Sequence, residues 1–412
     1  MPTLTPDLSP VATERPRGER SLGRYATGRP GPTVVVTAGL HGNEPAGTVA
    51  FGRVLDRLES GGLPLRGCLL GLAGNTRALA RGERFLSRDL NRRWSPDELA
   101  RTLPTGADGL SDEDLEQREL LQALAPILAP ATAPVVFLDL HSTSGAGAPF
   151  VVMADVLRNR PVAFALPIPL VLGLEEFVDG SMLGYLCDLG HVGVAVEGGQ
   201  HGEPSTVDHH EAAIWLALAA SGALAPREVP EASRWKALLE GATRGLPRVV
   251  EIRHRHRVDP EDDYRMLPGF RNFSPVAAGQ HVATDRTGPV KAPERGVLML
   301  PRYQSQGEDG YFLARRVSRF WLGVSRVLRV ARVDRLAPRL PGVQRHPALP
   351  DHHVVDPRVA RFFVTDLFHL LGYRRIRMDG GRPVFSRRRP DHGGVAGLPR
   401  ELAPIAPGAA SI

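Results

Sequence analysis

The chain has 412 residues, of which 42% are apolar, and its formal net charge is +6. A chain of this length exceeds one ordinary core, so the sequence predicts two domains with flanking tails. Its only cysteines, Cys68 and Cys187, exclude a disulfide framework and favour a reducing compartment. Any zinc in this protein must therefore be held by histidine and carboxylate side chains.

The N-terminal segment is rich in proline and polar residues and has no basic stretch followed by an apolar one. This composition predicts a disordered tail over residues 1–22 and argues against secretion, so we expect a cytoplasmic protein. The most apolar later segment, residues 212–225, is too short to span a bilayer and favours a buried helix. The sequence thus predicts no transmembrane segment.

Three short apolar runs, residues 33–38, 135–140 and 192–196, have the pattern of strands that are buried on both faces. A helical pattern over residues 112–128 follows Ser111, which is a favourable N-cap residue. Buried strands that alternate with helices are typical of parallel or mixed α/β sheets. We therefore expect one α/β domain over residues 23–228.

From about residue 248 the pattern changes to short strands that are interrupted by turn residues. This pattern predicts a small antiparallel β domain over residues 248–313. The following segment is predicted to be a helical C-terminal extension over residues 314–386, and the last residues, 387–412, are predicted to be a disordered tail.

The first helix of the extension, within residues 314–336, has arginines about every third position with apolar residues between them. Such a basic amphipathic helix can lie on an anionic membrane or on nucleic acid. Packing of its apolar stripe against the β domain is the favoured interpretation, with residues 362–377 as a second helix beside it.

Potential metal ligands follow the first two apolar runs. His41 and Glu44 come after the first run, and His141 comes at the end of the second. Because functional groups collect at the carboxyl ends of strands in open α/β sheets, we expect these three side chains to converge. Two imidazoles and one carboxylate with an open fourth position form the ligand set of a catalytic zinc ion.

Two further motifs supply catalytic groups. The third apolar run ends in Glu197, and a carboxylate there that is not a ligand is placed to accept a proton from zinc-bound water. The arginine-rich segment 81–94 lies between the first two ligand positions. In it, Arg84 is predicted to stabilise the oxyanion, while Asn91 and Arg92 are predicted to bind a substrate carboxylate.

Other polar residues receive simpler interpretations. We expect Arg88 and Arg93 to be solvated and Asp89 to orient a neighbouring arginine or backbone group. His254 and His256 share one face of a predicted strand, but no nearby carboxylate or cysteine completes a metal site there.

The motifs HGNE, RFxxxDLNR, DLH and VEGG, in this order, resemble the succinylglutamate desuccinylase/aspartoacylase family, whose members are related to zinc carboxypeptidases. The resemblance covers roughly residues 30–313. It implies a carboxypeptidase-like mixed sheet flanked by helices, one zinc ion, and hydrolysis of a small N-acyl amino acid. It also implies that the β domain covers the site entrance and that one of its tyrosines, Tyr303 or Tyr311, contacts substrate.

The same resemblance assigns the zinc ligands to His41, Glu44 and His141. It assigns the polarisation of the substrate carbonyl to Arg84, carboxylate binding to Asn91 and Arg92, and the catalytic carboxylate to Glu197.

One departure concerns the residues shortly before Glu197, where aspartoacylase-like members have an additional substrate-binding arginine and this chain has none. The acyl group and the amine of the substrate therefore stay open. The sequence also leaves open the oligomeric state, including a homo-oligomer, and the choice of zinc over another divalent ion. A zinc carboxypeptidase acting on short peptides, and a non-catalytic protein that binds through its basic helix, are the alternative functions.

Overall fold

The structure is a computed structural model and describes residues 20–102, 109–129, 133–347, 349, 352–356, 358–359, 364–379 and 381–387. The predicted N-terminal and C-terminal disordered tails lie almost entirely outside these residues. At the boundary of the first tail, Ser21 and Leu22 already belong to a strand. No helix in the described part of the chain is both long and apolar enough to cross a bilayer.

One large mixed sheet runs through the described residues, and helices cover both of its faces. In spatial order its strands are β1 (Ser21–Ala26), β3 (Arg66–Ala73), β2 (Arg29–Ala38), β4 (Val136–Thr143), β7 (Val192–Gln200), β5 (Phe150–Met153), β6 (Leu170–Leu172), β8 (Val249–Arg257), β14 (Asp309–Arg316), β13 (Gly296–Met299) and β10 (Ser274–Val276). The flanking helices are α1 (Ala46–Gly61), α2 (Thr76–Arg81), α3 (Pro96–Thr102), α4 (Asp112–Leu128), α5 (Arg160–Ala165), α6 (Met182–Asp188), α7 (Pro204–Ala220) and α8 (Ala232–Ala242). The sequence-based prediction of a mixed sheet flanked by helices is confirmed.

The three predicted apolar runs form the central strands β2, β4 and β7. Every residue of β4 is buried, because helices cover both faces of the sheet at this position. Helix α4 begins as predicted after Ser111, whose hydroxyl accepts a hydrogen bond from the Asp114 amide in a capping box. The apolar segment that was predicted to be a buried helix lies largely within α7.

The register of the central strands fixes the position of the site. Strand β2 pairs with β4, and β4 pairs with β7, in both cases in parallel. His141 on β4 is the direct neighbour of Glu197 on β7. The carboxyl ends of the three strands therefore meet at one edge of the sheet, as the sequence predicts.

The β-rich region after residue 248 is continuous with the α/β domain. Strand β8 pairs in parallel with β6 of the α/β domain and antiparallel with β14. A separate small sheet contains β9 (Arg265–Met266), β11 (His281–Asp285) and β12 (Gly288–Lys291). The predicted β domain thus has its own small sheet and core but shares the large sheet.

The C-terminal extension contains helices α9 (Arg319–Val330) and α10 (Val364–Leu370), which pack together. It also contains an unpredicted antiparallel sheet of β15 (Val343–Arg345), β16 (His352–Val355), β17 (Tyr373–Asp379) and β18 (Arg382–Arg387). The second predicted helix, residues 362–377, ends early because Gly372 has φ +93° and the chain then enters β17.

The favoured orientation of the first helix of the extension is wrong. Among the residues that α9 buries are Ser325 and Arg329, whereas Phe320 and Val327 are 67% and 66% exposed. The Arg329 guanidinium turns inward because it binds the buried Asp155 carboxylate of the α/β domain at 2.8 Å. Part of the apolar stripe therefore faces outward, and its half-buried residue Leu328 packs against the core of the extension instead of the β domain.

Candidate active site

The three predicted metal ligands converge at the carboxyl ends of the central strands. His41 and Glu44 lie in the turn between β2 and α1, and His141 lies on β4. The Nδ1 atom of His41 is 2.8 Å from Oε1 of Glu44, and Nδ1 of His141 is 3.0 Å from Oε2. All three side chains are buried.

Close backbone packing holds the turn that carries His41 and Glu44. The amide of Gly42 donates a hydrogen bond to the Arg84 carbonyl at 3.1 Å. A Cβ atom at Gly42 would lie 2.1 Å from the carbonyl carbon of Ala78, so only glycine fits here. The glycine of the HGNE motif thus allows the turn to approach the chain after β3, which also carries Arg84.

Two carboxylates contact the Nε2 atoms of the two histidine rings, on the side opposite to Glu44. Asp89 lies 3.2 Å from Nε2 of His41, and Asp139 lies 2.9 Å from Nε2 of His141. A carboxylate on the far nitrogen of a ligand histidine fixes the ring and raises its basicity. Sequence reasoning did not single out Asp139, although it shares a strand face with His141 two residues later.

The donor set fits a divalent metal ion. One ligand atom from each of His41, Glu44 and His141 can be chosen so that all lie within 4.8 Å of one another. No other group of three potential ligands occurs in the part of the chain that the structure describes. Two imidazoles and a carboxylate suit zinc, with a fourth position left open.

The electrostatics of the cluster favour a charged Glu44. Burial opposes its ionisation, but His41 and His141 outweigh burial and hold the pKa of this carboxyl well below its usual range. Burial would likewise lower the pKa of His141, but Asp139 and Glu44 raise it well above its ordinary value. The cluster therefore presents a carboxylate whose negative charge attracts cations to this position.

Glu197 faces the cluster from the neighbouring strand. Its Oε2 atom is buried and has no hydrogen-bond partner among the described residues. Burial, together with the nearby Glu44 carboxylate, raises the pKa of Glu197 to about 8, against the opposing effects of His141 and Arg84. A buried carboxyl group without a structural partner is suited to proton transfer.

These groups line a cavity of about 190 Å³. This volume is below the range that is usual for drug-sized ligands, which indicates a small ligand. The residues that contribute polar side chains to its wall include His41, Glu44, Arg84, Asn91, Arg92, Asp139, His141, Ser142, Glu175, Glu197, His201, Arg302, Gln304 and Asp309.

Arg84 lies beside the metal-ligand cluster. Its Nη2 atom donates to Asp89 at 3.1 Å, and Nη1 lies 3.5 Å from Glu44. Its Nε atom is buried and has no hydrogen-bond partner among the described residues. Arg84 therefore has a donor without a partner beside the ligand cluster, and Asp89 contacts its guanidinium as the sequence predicts.

The predicted carboxylate binders Asn91 and Arg92 both line the cavity but have internal partners. The side-chain oxygen of Asn91 accepts a hydrogen bond from the Met182 amide at 3.0 Å. Arg92 donates to Asp309 of the β domain at 3.0 Å, and Asp309 also binds Arg255. An incoming carboxylate would have to share Arg92 with Asp309.

The β domain supplies cavity residues that the sequence did not reveal. Gln304 accepts a hydrogen bond from Asn43 at 3.1 Å and lies 3.3 Å from Nε2 of His201. His201 in turn contacts the Ser142 hydroxyl at 2.7 Å. These contacts bring the loop after β13 over the cavity, which agrees with the expectation that the β domain covers the entrance.

Arg302 is the third arginine of the cavity wall. Its Nη1 atom donates to the Gly307 carbonyl at 2.6 Å, and its guanidinium lies over the Tyr264 ring. In the described structure it forms no ion pair with a carboxylate, and its buried Nε has no hydrogen-bond partner. Arg302 is therefore the cavity arginine best able to accept an external anion.

The two tyrosines that were predicted to contact substrate lie away from the cavity. Tyr311 is fully buried in the core of the β domain, where it stacks on His256 at 5.2 Å. The Tyr303 hydroxyl donates to the carbonyls of Leu267 and Phe270. Internal packing holds the Tyr311 side chain and backbone hydrogen bonds hold the Tyr303 side chain, and neither residue lines the cavity. The substrate contact stays a prediction.

The arginines that were predicted to be solvated differ from each other. Arg88 is exposed. Arg93 is mostly buried and binds Glu98 and Asp114, which positions α3 and α4. Neither residue lines the cavity.

Comparisons with known proteins agree with this geometry. Residues 30–213 match the family model of the succinylglutamate desuccinylase/aspartoacylase catalytic domain. Succinylglutamate desuccinylase from Yersinia pestis (strain Pestoides F) is 34% identical over 117 residues, which cover 27% of this chain and 32% of that protein. A probable aspartoacylase from Synechococcus sp. (strain CC9605) is 33% identical over 173 residues, which cover 40% of this chain and 52% of that protein.

The matched part of the chain thus spans about a third to a half of these curated relatives. A crystal structure of succinylglutamate desuccinylase/aspartoacylase from Rhodobacter sphaeroides has a TM-score of 0.52 at 18% identity and covers 71% of this chain and 87% of its own. The crystal structure of succinylglutamate desuccinylase from Vibrio cholerae has a TM-score of 0.51 at 18% identity. The match covers 71% of this chain and 83% of that one.

The structural similarity shows that this chain has the mixed α/β fold of these desuccinylase structures. The motif-bearing part of the chain carries the sequence features of one family as well. Residues 30–213 therefore resemble the catalytic domain of the succinylglutamate desuccinylase/aspartoacylase family.

Proposed function

We propose that this protein is a zinc-dependent amidohydrolase that removes the acyl group from a small N-acyl amino acid. The observation that carries the proposal is the juxtaposition of the ligand cluster with Glu197, whose buried Oε2 has no partner among the described residues. The resemblance to the catalytic domain of this family supports a deacylase-like reaction. Orienting carboxylates behind both histidines support a metal site rather than a structural cluster.

His41, Glu44 and His141 would hold the zinc ion. When bound there, the ion would supply Lewis acidity to the cavity and lower the pKa of a water molecule. Glu197 would accept the proton of the attacking water at Oε2 and later deliver it to the departing amine nitrogen.

Arg84 would stabilise the negative charge that develops on the substrate oxygen. Its buried Nε has no hydrogen-bond partner in the described part of the chain, and Asp89 fixes the far side of the guanidinium. A preorganised donor in a cavity with little water stabilises developing charge more strongly than the same donor in solution. Asp89 thereby positions both Arg84 and His41.

The carboxylate of the amino acid would bind Arg302 together with Arg92. Arg302 has no carboxylate partner among the described residues, whereas Arg92 already binds Asp309. We therefore assign the larger share of carboxylate binding to Arg302. It would also compensate for the arginine that this chain lacks before Glu197.

The test measures hydrolysis of a panel of N-acyl amino acids by the full chain loaded with zinc. The wild type is compared with the Glu197→Gln variant under the same conditions. We expect Glu197→Gln to lower kcat by about 10²–10⁴-fold, because the amide cannot carry the proton, while zinc binding is retained. Glu175→Gln is a matched control that also lines the cavity. Cleavage of unblocked short peptides in preference to N-acyl amino acids would instead favour a carboxypeptidase.

The proposal includes a cytoplasmic location and a small-molecule substrate, with no role for nucleic acid. Cell fractionation would test the location. Size-exclusion chromatography with light scattering would determine whether the protein forms a homo-oligomer.

A further inference from the structure

Helix α9 exposes several large apolar side chains, although Leu322 is buried and Leu328 packs against the core of the extension. We call the residues Phe320, Trp321, Val327 and Val330 the outer face of α9, and their exposed fractions are 67%, 50%, 66% and 57%. Amphipathic helices of globular proteins normally turn such a stripe toward the core. Clustered apolar side chains that remain exposed usually mark a surface that another molecule covers.

The helix cannot rotate to bury this face, because polar contacts fix the opposite one. The Arg329 guanidinium binds the Asp155 carboxylate at 2.8 Å and the Asp155 carbonyl at 2.6 Å. The Ser325 hydroxyl donates to the Leu370 carbonyl at 2.8 Å and lies 3.2 Å from Arg160. Rotation of α9 would leave these buried charges unpaired, which costs far more than exposure of a few apolar groups.

The surroundings of the outer face are strongly basic. Residues 310–333 contain no aspartate or glutamate. Of the exposed arginines around α9, Arg315 pairs with Glu251 and Asp366. Others form no ion pair with any carboxylate of the described residues; among these are Arg316, Arg319, Arg326, Arg332 and Arg335. The surface therefore combines apolar side chains with uncompensated positive charge.

We propose that the outer face of α9 docks on an anionic lipid bilayer surface. Phe320, Val327 and Val330 would enter the boundary between headgroups and acyl chains, with Trp321 at the edge. The arginines would bind lipid phosphates. An anionic bilayer would contact both the apolar side chains and the arginines of this surface, whereas nucleic acid would contact only the arginines.

A second copy of the chain fits less well. A symmetric contact through this face would bring two rows of unpaired arginines together, and like charges across an interface oppose association. The inference is independent of the proposed function, because no residue of the outer face lines the catalytic cavity.

The experiment measures binding of the full chain to vesicles of phosphatidylcholine alone and of phosphatidylcholine mixed with phosphatidylglycerol. We expect binding to the acidic vesicles only, and weaker binding at high salt. Phe320→Ser with Val327→Ser should weaken partitioning by about a hundredfold, and Arg319→Gln with Arg326→Gln by about thirtyfold.

The control variant is Val49→Ser with Arg81→Gln, which changes an exposed valine and an exposed arginine elsewhere on the protein. It should bind like the wild type, and thermal melting should show that all variants fold. Equal binding to neutral vesicles, no binding at all, or full binding by the outer-face variants would overturn the proposal. So would a wild-type dimer that Phe320→Ser with Val327→Ser converts to monomers.

Discussion

The catalytic cavity and the contact between the α/β domain and the C-terminal extension both bury many charged side chains, but they pair them differently. In the cavity, Glu197 has a carboxylate oxygen without a partner, and Arg84 and Arg302 each have an unpartnered Nε, as far as the described residues show. At the extension contact, a single carboxylate, Asp155, binds three guanidinium groups.

We refer to the second region as the extension contact, defined by Asp155, Glu176, Glu251, Arg160, Arg329, His369 and Arg374. Asp155 lies 2.9 Å from Arg160, 2.8 Å from Arg329 and 3.2 Å from Arg374. Glu251 binds His369 at 3.1 Å and also binds Arg374. Burial opposes ionisation of Asp155, but the surrounding arginines outweigh burial and hold its pKa far below the ordinary value.

The difference separates two uses of buried charged side chains: those in the cavity serve the site, and those at the extension contact stabilise the fold. Mutually paired charges hold two parts of a chain in one arrangement, and their removal affects folding. A buried polar group without a partner has an unfavourable desolvation free energy, and contact with a substrate or a metal ion can offset it. Variants in the two regions should therefore separate effects on stability from effects on turnover.

The largest effect on stability should follow from Asp155→Ala, which leaves three buried guanidinium groups without their shared carboxylate. We expect the free energy of unfolding to fall by about 3–5 kcal/mol, as for other broken buried ion pairs. Urea unfolding measures this change. Asp208→Ala, which removes an exposed ion pair with Arg53, should cost less than about 1 kcal/mol. Similar losses for both variants would contradict a structural role for the extension contact.

In the cavity, Arg302→Gln should raise KM by about 10–100-fold for substrates with a carboxylate, because a charged hydrogen bond is lost. Arg92→Gln should raise KM less, since Asp309 already occupies part of that guanidinium. Steady-state kinetics of both variants on one N-acyl amino acid gives the comparison. A larger increase in KM for Arg92→Gln than for Arg302→Gln would show that Arg92, as the sequence predicts, is the main carboxylate-binding arginine.

Asp139→Asn should weaken metal binding by about 10–100-fold, because it removes the carboxylate that orients the His141 ring. Competition with a metal-binding dye measures the affinity. Glu175→Gln, also in the cavity wall, should leave metal affinity unchanged. An unchanged affinity in Asp139→Asn would show that Asp139 has no influence on the ligand.

The smallest effect concerns the pH dependence of stability. Burial would lower the pKa of His369, but the nearby carboxylates of Glu176 and Glu251 raise it above the ordinary value. A raised folded-state pKa adds stability at acidic pH that disappears as the pH rises through that pKa. The difference in unfolding free energy between wild type and His369→Gln should be largest below about pH 6 and should shrink at alkaline pH. A difference that stays constant with pH would exclude this role.

The central part of the site could be predicted because its residues follow local rules. His41, Glu44, His141 and Glu197 each lie at or after the carboxyl end of a buried strand, and parallel neighbours bring such ends together. The arrangement of α/β and β-rich segments followed from apolar periodicity in the same way.

The parts that sequence reasoning missed depend on tertiary partners. Arg302 and Gln304 reach the cavity from a loop of the β domain, and no local pattern indicates this contact. Arg329 has the spacing of a solvated arginine, and its burial is explained by partners far away in sequence, the Asp155 carboxylate and the carbonyls of His369 and Leu370. Strand β17 follows Gly372, and a glycine at this place fits the end of a helix, which the sequence predicts to continue.

The central claim is that His41, Glu44 and His141 hold a metal on which turnover by Glu197 depends. The decisive experiment measures zinc content and hydrolysis of N-acyl amino acids in the same samples. The samples are the wild type, His141→Ala and Glu197→Gln. We expect zinc and turnover together in the wild type, neither in His141→Ala, and zinc without turnover in Glu197→Gln. A wild type that binds no zinc after exposure to the metal, or a Glu197→Gln variant with wild-type turnover, would contradict the central claim.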